Sequence, residues 1–221
     1  MSVCRLEHIS KQYEDMGEHR KVIQDFSWNV EAGEILLIKG SSGIGKSTLL
    51  FLMGGLMHPT SGKVFWNFTG NNEVDLSKLK EKELAGFMRK DVGYLFQDTI
   101  LFPTLTVREH LLFAEKISKK GNGGDIDKLL EQMGLTERQF HLPSQLSGGQ
   151  RRRTAAAMNV LKHPKLLLAD EPTNDLDDQY EEVMNQLFVQ AAKEGSAVVL
   201  VSHRPERAPE NVRVLDFNRI M

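Results

Sequence analysis

A chain of 221 residues, 40% hydrophobic and 26% charged, can bury a sizeable core but is short for two full domains. Its 28 Lys and Arg against 30 Asp and Glu leave a net charge of −2, which excludes a global electrostatic pull toward nucleic acid or anionic lipid. Cys4 is the only cysteine, so no internal disulfide can form and a reducing compartment is expected. Arg5 and Glu7 stand where a signal peptide needs an apolar segment. The longest uncharged stretch, Ser47 to Gly62, contains His58, Pro59 and several Ser, Thr and Gly residues, so no membrane-spanning helix is expected.

In chain order, Phe26, Trp28 and Val30 alternate with polar residues, as in a half-exposed antiparallel strand. Ile35 to Ile38 is a short apolar run of the buried parallel type. Val64, Trp66 and Phe68 repeat the alternating spacing, with Phe65 interrupting the polar face, and Val92 to Phe96 is a weaker buried run. From about Leu105 to Leu161 the pattern is helical, with Thr106…Glu109 and Ser147…Gln150 as capping boxes and Gly134 as a helix stop. Leu166 to Ala169 and Val198 to Val201 are two further buried runs. Between them Tyr180, Val183, Met184, Leu187, Phe188 and Ala191 fall on one helical face. Alternating strands and helices predict one α/β domain with a parallel-sheet core, a small antiparallel β subdomain near the front and an inserted helical subdomain.

Gly40-Ser41-Ser42-Gly43-Ile44-Gly45-Lys46-Ser47 fits the phosphate-binding pattern G-x-x-x-x-G-K-[ST] between an apolar run and a helix. Glycines let backbone N–H groups converge on phosphate, and the helix N-terminus adds its positive end. Lys46 is then the phosphate cation and Ser47 a Mg²⁺ ligand. Asp170 and Glu171 follow the Leu166 run, placed to hold Mg²⁺ and to activate water respectively. Alone, that pair reads more readily as two solvated carboxylates at the end of a strand.

Leu146-Ser147-Gly148-Gly149-Gln150 adds a second glycine-rich helix start. Together with the phosphate loop, Asp170-Glu171, Gln97 and His203, it resembles the nucleotide-binding domain of ABC ATPases over essentially the whole chain. The resemblance implies a RecA-like P-loop NTPase fold, with the helical subdomain at roughly residues 98–161. It makes Gly40 to Thr48 the Walker A loop and Leu166 to Asp170 Walker B. It makes Glu171 the catalytic glutamate, Gln97 the Q-loop residue that also reaches Mg²⁺, and His203 the switch histidine. Tyr13 takes the place of the aromatic residue that stacks on adenine, though singly it reads as a packing tyrosine. ATP and Mg²⁺ follow as cofactors. Two subunits are implied, each ATP lying between Walker A of one and Ser147, Gly148, Gly149 and Gln150 of the other.

Met53-Gly54-Gly55-Leu56, Pro59-Thr60-Ser61-Gly62 and Asp75-Leu76-Ser77 resemble the lipoprotein-release, macrolide-export and cell-division group. That implies a separate integral-membrane partner, no nucleic-acid partner, and a cytoplasmic position on the inner membrane face. Asp175, Met158-Asn159 and Arg204-Pro205 depart from the family's pattern. A soluble ATPase of assembly and a cell-division regulator are the alternative readings. Arg151-Arg152-Arg153 is expected to be a solvated face with one structural arginine.

Overall fold

The computed structural model describes residues 1–15, 18–70, 72–118, 126–174 and 176–219. Asp175, one of the departures above, lies outside them. Two long strands, β1 (Ser2–Asp15) and β2 (Glu18–Glu31), open the chain, followed by β3 (Ile35–Lys39) and α1 (Lys46–Met53). Then come β4 (Ser61–Trp66), β5 (Val74–Asp75), α2 (Glu81–Lys90) and β6 (Val92–Leu95). Three helices form the middle of the chain: α3 (Val107–Ser118), α4 (Ile126–Gln132) and α5 (Gly148–Leu161). The chain closes with β7 (Leu166–Asp170), α6 (Asp178–Lys193), β8 (Ala197–Val201) and β9 (Arg213–Asp216).

Four strands form an antiparallel sheet in the order β2-β1-β4-β5, and five form a parallel sheet in the order β6-β7-β8-β3-β9. The parallel strands read as continuous apolar runs because both faces are covered. Leu36, Ile38, Leu166, Leu168, Val199 and Val201 point into one core, shared with α1 and the antiparallel sheet. Their alternates Ile35, Leu37, Leu167, Ala169, Val198 and Leu200 point into a second core with α3, α5 and α6. This period-two division fixes the register, since a one-residue slip would exchange the two cores.

Most of the local expectations meet the structure, and Phe68 departs from them. Phe26 and Val30 are buried and Trp28 partly so. Phe65, which broke the polar face of its strand, carries the Arg5 guanidinium 4.1 Å above its ring, so an aromatic residue is tolerated there. Phe68 lies beyond the end of β4 and stacks on Trp66 instead of extending the strand. Both capping boxes are present, Thr106 with Glu109 and Ser147 with Gln150. Gly134 follows α4 with φ 59°, the left-handed conformation of a helix stop.

The arginine run differs from its expectation. Arg151 donates to the Leu146 carbonyl at 2.7 Å, while Arg152 and Arg153 are both buried, each 5% exposed. Helix α5 is packed between the other middle helices and the parallel sheet, so these guanidiniums are enclosed and bind backbone carbonyls. Arg153 also lies 3.4 Å over the Tyr180 ring.

Candidate nucleotide site

Parallel strands bring their C-terminal ends to one edge of a sheet, where ligands gather in open α/β folds. Here that edge carries the loop after β3, Asp170 at the end of β7 with Glu171 next to it, Gln97 just beyond β6 and His203 just beyond β8. A cleft of about 650 Å³ collects them: Tyr13, Ser42, Gly43, Gly45, Lys46, Ser47, Thr48, Gln97, Asp170, Glu171 and His203 all line it. A larger open groove of about 1410 Å³ runs along α6 and the 206–211 segment and is lined by none of these groups.

The phosphate loop is held from three directions. Gly45 caps α1 with φ 117°, and a Cβ there would lie 2.5 Å from Val22 Cγ1. The first turn of α1 has no acidic residue, so its positive end is left for a ligand anion. The Ser41 N–H and hydroxyl both donate to Asn218 Oδ1, at 3.0 and 2.9 Å, and Arg20 donates to the Gly43 carbonyl at 3.3 Å. Neither Asn218 nor Arg20 was marked in the sequence; they lie 177 and 23 residues from their partners, and no local pattern announces such contacts. Ile44 faces away from the cleft and packs on the core.

Lys46 is buried, its ammonium donating to the carbonyls of Gly40 at 2.7 Å and Ser41 at 2.9 Å. Burial lowers its pKa, while Glu171 and Asp170 nearby pull it back up. Tyr13 is half-exposed on β1, its hydroxyl 3.1 Å from Thr48 Oγ1, which sets the ring at the mouth of the cleft.

Glu171 is 4% exposed and takes a left-handed backbone, φ 49°. That conformation costs a non-glycine residue about 1–2 kcal/mol, and strain of this kind gathers at functional sites. Its N–H donates to the Val201 carbonyl at 3.0 Å and its Oε2 accepts the His203 N–H at 3.2 Å. Oε1 lies 3.2 Å from His203 Nε2 without hydrogen-bond alignment. Burial raises the Glu171 pKa, helped by Asp170 and opposed by His203 and Lys46. A carboxyl pushed upward in a cleft is suited to accept a proton from water.

Ser47, Gln97 and Asp170 offer hydroxyl, amide and carboxylate oxygens to the same cleft. No group of three His, Cys, Asp or Glu side chains is placed to hold a metal among the described residues. A sparse, all-oxygen donor set fits Mg²⁺, whose remaining ligands come from phosphate and water. Ser147, Gly148, Gly149 and Gln150 do not line the cleft. They form the start of α5, where the Ser147 hydroxyl caps the Gln150 N–H at 3.2 Å and no acidic residue occupies the first turn.

A phosphate loop, a buried carboxylate pair and a parallel sheet that gathers them at one edge define a P-loop nucleoside-triphosphatase. The sequence profile described as ABC transporter matches residues 23–174. The uncharacterized ABC transporter ATP-binding protein YknY of Bacillus subtilis is 36% identical over 96% of this chain and 92% of its own length. The lipoprotein-releasing system ATP-binding protein LolD of Idiomarina loihiensis is 34% identical, covering 96% of this chain and 93% of the relative. The macrolide export ATP-binding/permease protein MacB of Rhodopirellula baltica is 39% identical over 96% of this chain, which spans 31% of that longer protein. The dimeric ATP-binding cassette MJ0796 in a post-hydrolysis state, bound to ADP and Pi, superposes with TM-score 0.82 at 31% identity, covering 97% of this chain and 94% of that one. The chain belongs to the ABC transporter family, as an ATP-binding ATPase.

Proposed function

We propose that this chain is the ATP-hydrolysing motor subunit of a transporter. Two copies close head to tail on two Mg-ATP molecules and drive a separate integral-membrane partner. The observation that carries the reading is that the chain's two phosphate-binding helix starts do not share a cleft: Lys46 and Ser47 line it, Ser147 to Gln150 do not. Gly148 has open space where a Cβ would be, so no contact among the described residues requires glycine there. A second copy, with its Ser147 to Gln150 set on this cleft, supplies both the missing phosphate contacts and a reason for the glycine. The dimeric MJ0796 cassettes support this arrangement.

In that site Lys46 and the loop N–H groups neutralise the triphosphate, and Tyr13 stacks on the adenine. Ser47, Gln97 and Asp170 would hold Mg²⁺, which would neutralise charge on the phosphate oxygens. Glu171 accepts a proton from the attacking water as its oxygen bonds the γ-phosphorus and the bond to ADP breaks. His203, touching Glu171 and exposed to the cleft, donates to the γ-phosphate. Loss of the γ-phosphate removes the anion that both copies share, and the pair loosens.

No helix among the described residues is long and apolar enough to cross a membrane. A membrane partner is supported by the lipoprotein-releasing and macrolide-export relatives, which also favour export or extrusion, with the chain on the cytoplasmic face. Ile100 and Phe102 are exposed just beyond Gln97 and Leu112 and Phe113 are exposed on α3, with Phe102 meeting Phe113 edge-on at 5.2 Å. Such apolar exposure beside the Q-loop suits a docked partner. The test is copurification from native membranes. An integral-membrane protein should accompany the wild type and be lost from Phe102→Glu while ATP binding persists; a chain that brings no membrane protein overturns the transporter reading.

A further inference from the structure

The buried Arg152 guanidinium reaches two of the loops that build the cleft. Its Nη1 donates to the Glu171 carbonyl at 2.7 Å and its Nη2 to the Gln97 carbonyl at 2.5 Å. It does not line the cleft itself, and these two backbones give it a route to the groups that do. Glu171 is the residue with the left-handed backbone. Its N–H is held by the Val201 carbonyl and its own carbonyl by Arg152, so the peptide planes on both sides are clamped. With both fixed, the direction in which the Glu171 Cα–Cβ bond leaves the main chain is fixed too. Gln97 sits on an exposed segment after β6, where its carbonyl has the same anchor.

We propose that Arg152 is a positioning residue for hydrolysis: its planar fork sets the Glu171 and Gln97 main chains at one spacing and so aims both side chains into the cleft. The inference rests on the roles given above to Glu171 and Gln97. A guanidinium suits the task because it presents rigid, divergent donors and stays charged when buried. A lysine ammonium is a single point and cannot span both carbonyls with fixed separation. Arg152 stands in the second turn of α5, the helix whose first turn carries Ser147 to Gln150. The clamp therefore also ties that helix to the chain's own catalytic glutamate.

The experiment compares Arg152→Gln and Arg152→Lys in the full chain, alone and in a Glu171→Gln background. Steady-state hydrolysis, equilibrium ATP binding and thermal melting are measured together. Losing charge-assisted bonds that orient the base should lower kcat by about ten- to a hundredfold in Arg152→Gln, with ATP affinity held within about twofold. Arg152→Lys, which keeps the charge and one donor direction, should recover part of the loss. In the Glu171→Gln background either change should slow the residual turnover less than it slows the wild type, because one of the two groups being aimed is gone. Wild-type kcat in both variants overturns the proposal, as does equal slowing with and without the Glu171 carboxylate. Should Arg152→Gln fail to fold, Arg152→Lys decides alone: wild-type kcat in it overturns the proposal. Full hydrolysis by Glu171→Gln itself would remove the reading of that residue and this inference with it. Slow Glu171→Gln beside unaffected Arg152 variants would remove only the role of Arg152.

Discussion

Replacing Glu171 by Gln separates binding from chemistry more cleanly than any other single change in the cleft. The amide has the size of the acid and keeps an oxygen for the His203 N–H now held by Oε2 at 3.2 Å. The backbone bonds to Val201 and Arg152 do not involve the side chain and survive. What is lost is the acceptor for the water proton, typically about 10²–10⁴ in rate, or ~3–5 kcal/mol of barrier. Lys46, Ser47 and Asp170 are untouched, so ATP affinity should hold. Burial raises the Glu171 pKa, so the ionised carboxylate is disfavoured in the fold and the neutral amide relieves that cost. The variant should thus be at least as stable as the wild type, and should accumulate as an ATP-bound pair. Phosphate release and gel filtration with and without Mg-ATP check both parts. The pair appears as a shift from 25.0 kDa toward about twice that mass. Full hydrolysis would refute the assignment of the base, and a monomer at saturating ATP would refute the head-to-tail pair.

Because burial holds the Glu171 proton above its ordinary range, kcat/KM should fall on the acid side with a midpoint above 4.5, and Glu171→Gln should lack that limb. The sign in stability follows from the same shift. The folded carboxyl binds its proton more tightly than the unfolded one, so its contribution is lost as pH rises through the folded value. The stability advantage of Glu171→Gln, measured by thermal melts, should be present at neutral pH and vanish below the unfolded pKa. Tyr13→Ala removes the ring at the cleft mouth and should weaken ATP about two- to tenfold, from ~0.5–1.5 kcal/mol of stacking, with kcat at saturation retained; an unchanged dissociation constant would leave Tyr13 a packing residue. Gly45→Ala meets Val22 Cγ1 at 2.5 Å in a φ of 117°, so it should abolish ATP binding while α1 stays packed on the core. Wild-type affinity in titration would show that the loop does not need this conformation.

The elements legible in the sequence are those specified by short-range physics. The P-loop spacing, the capping boxes at Thr106 and Ser147 and the Gly134 stop are each set within a few residues. The strands β3, β7 and β8 were legible because each is buried on both faces and so uniformly apolar. Strand β9, Arg213–Asp216, was not, since two of its residues are exposed and its apolar part is too short to show a period. The sequence predicts one structural arginine in the 151–153 run and two are buried, Arg152 and Arg153, because burial there follows from where α5 packs and not from the local charge.

Sequence alone determined that a phosphate loop, a carboxylate pair and a second glycine-rich helix start exist, because each is a contiguous string whose chemistry is local. Only the tertiary structure decided which of them meet. The strand order β6-β7-β8-β3-β9 places Gln97, Glu171, His203 and Lys46 on one edge although they are spread over more than half the chain. It leaves Ser147 to Gln150 outside, and it puts Arg152 against carbonyls 19 and 55 residues away. Parallel pairing across crossovers joins residues by space rather than by spacing, and no periodicity along the chain encodes that.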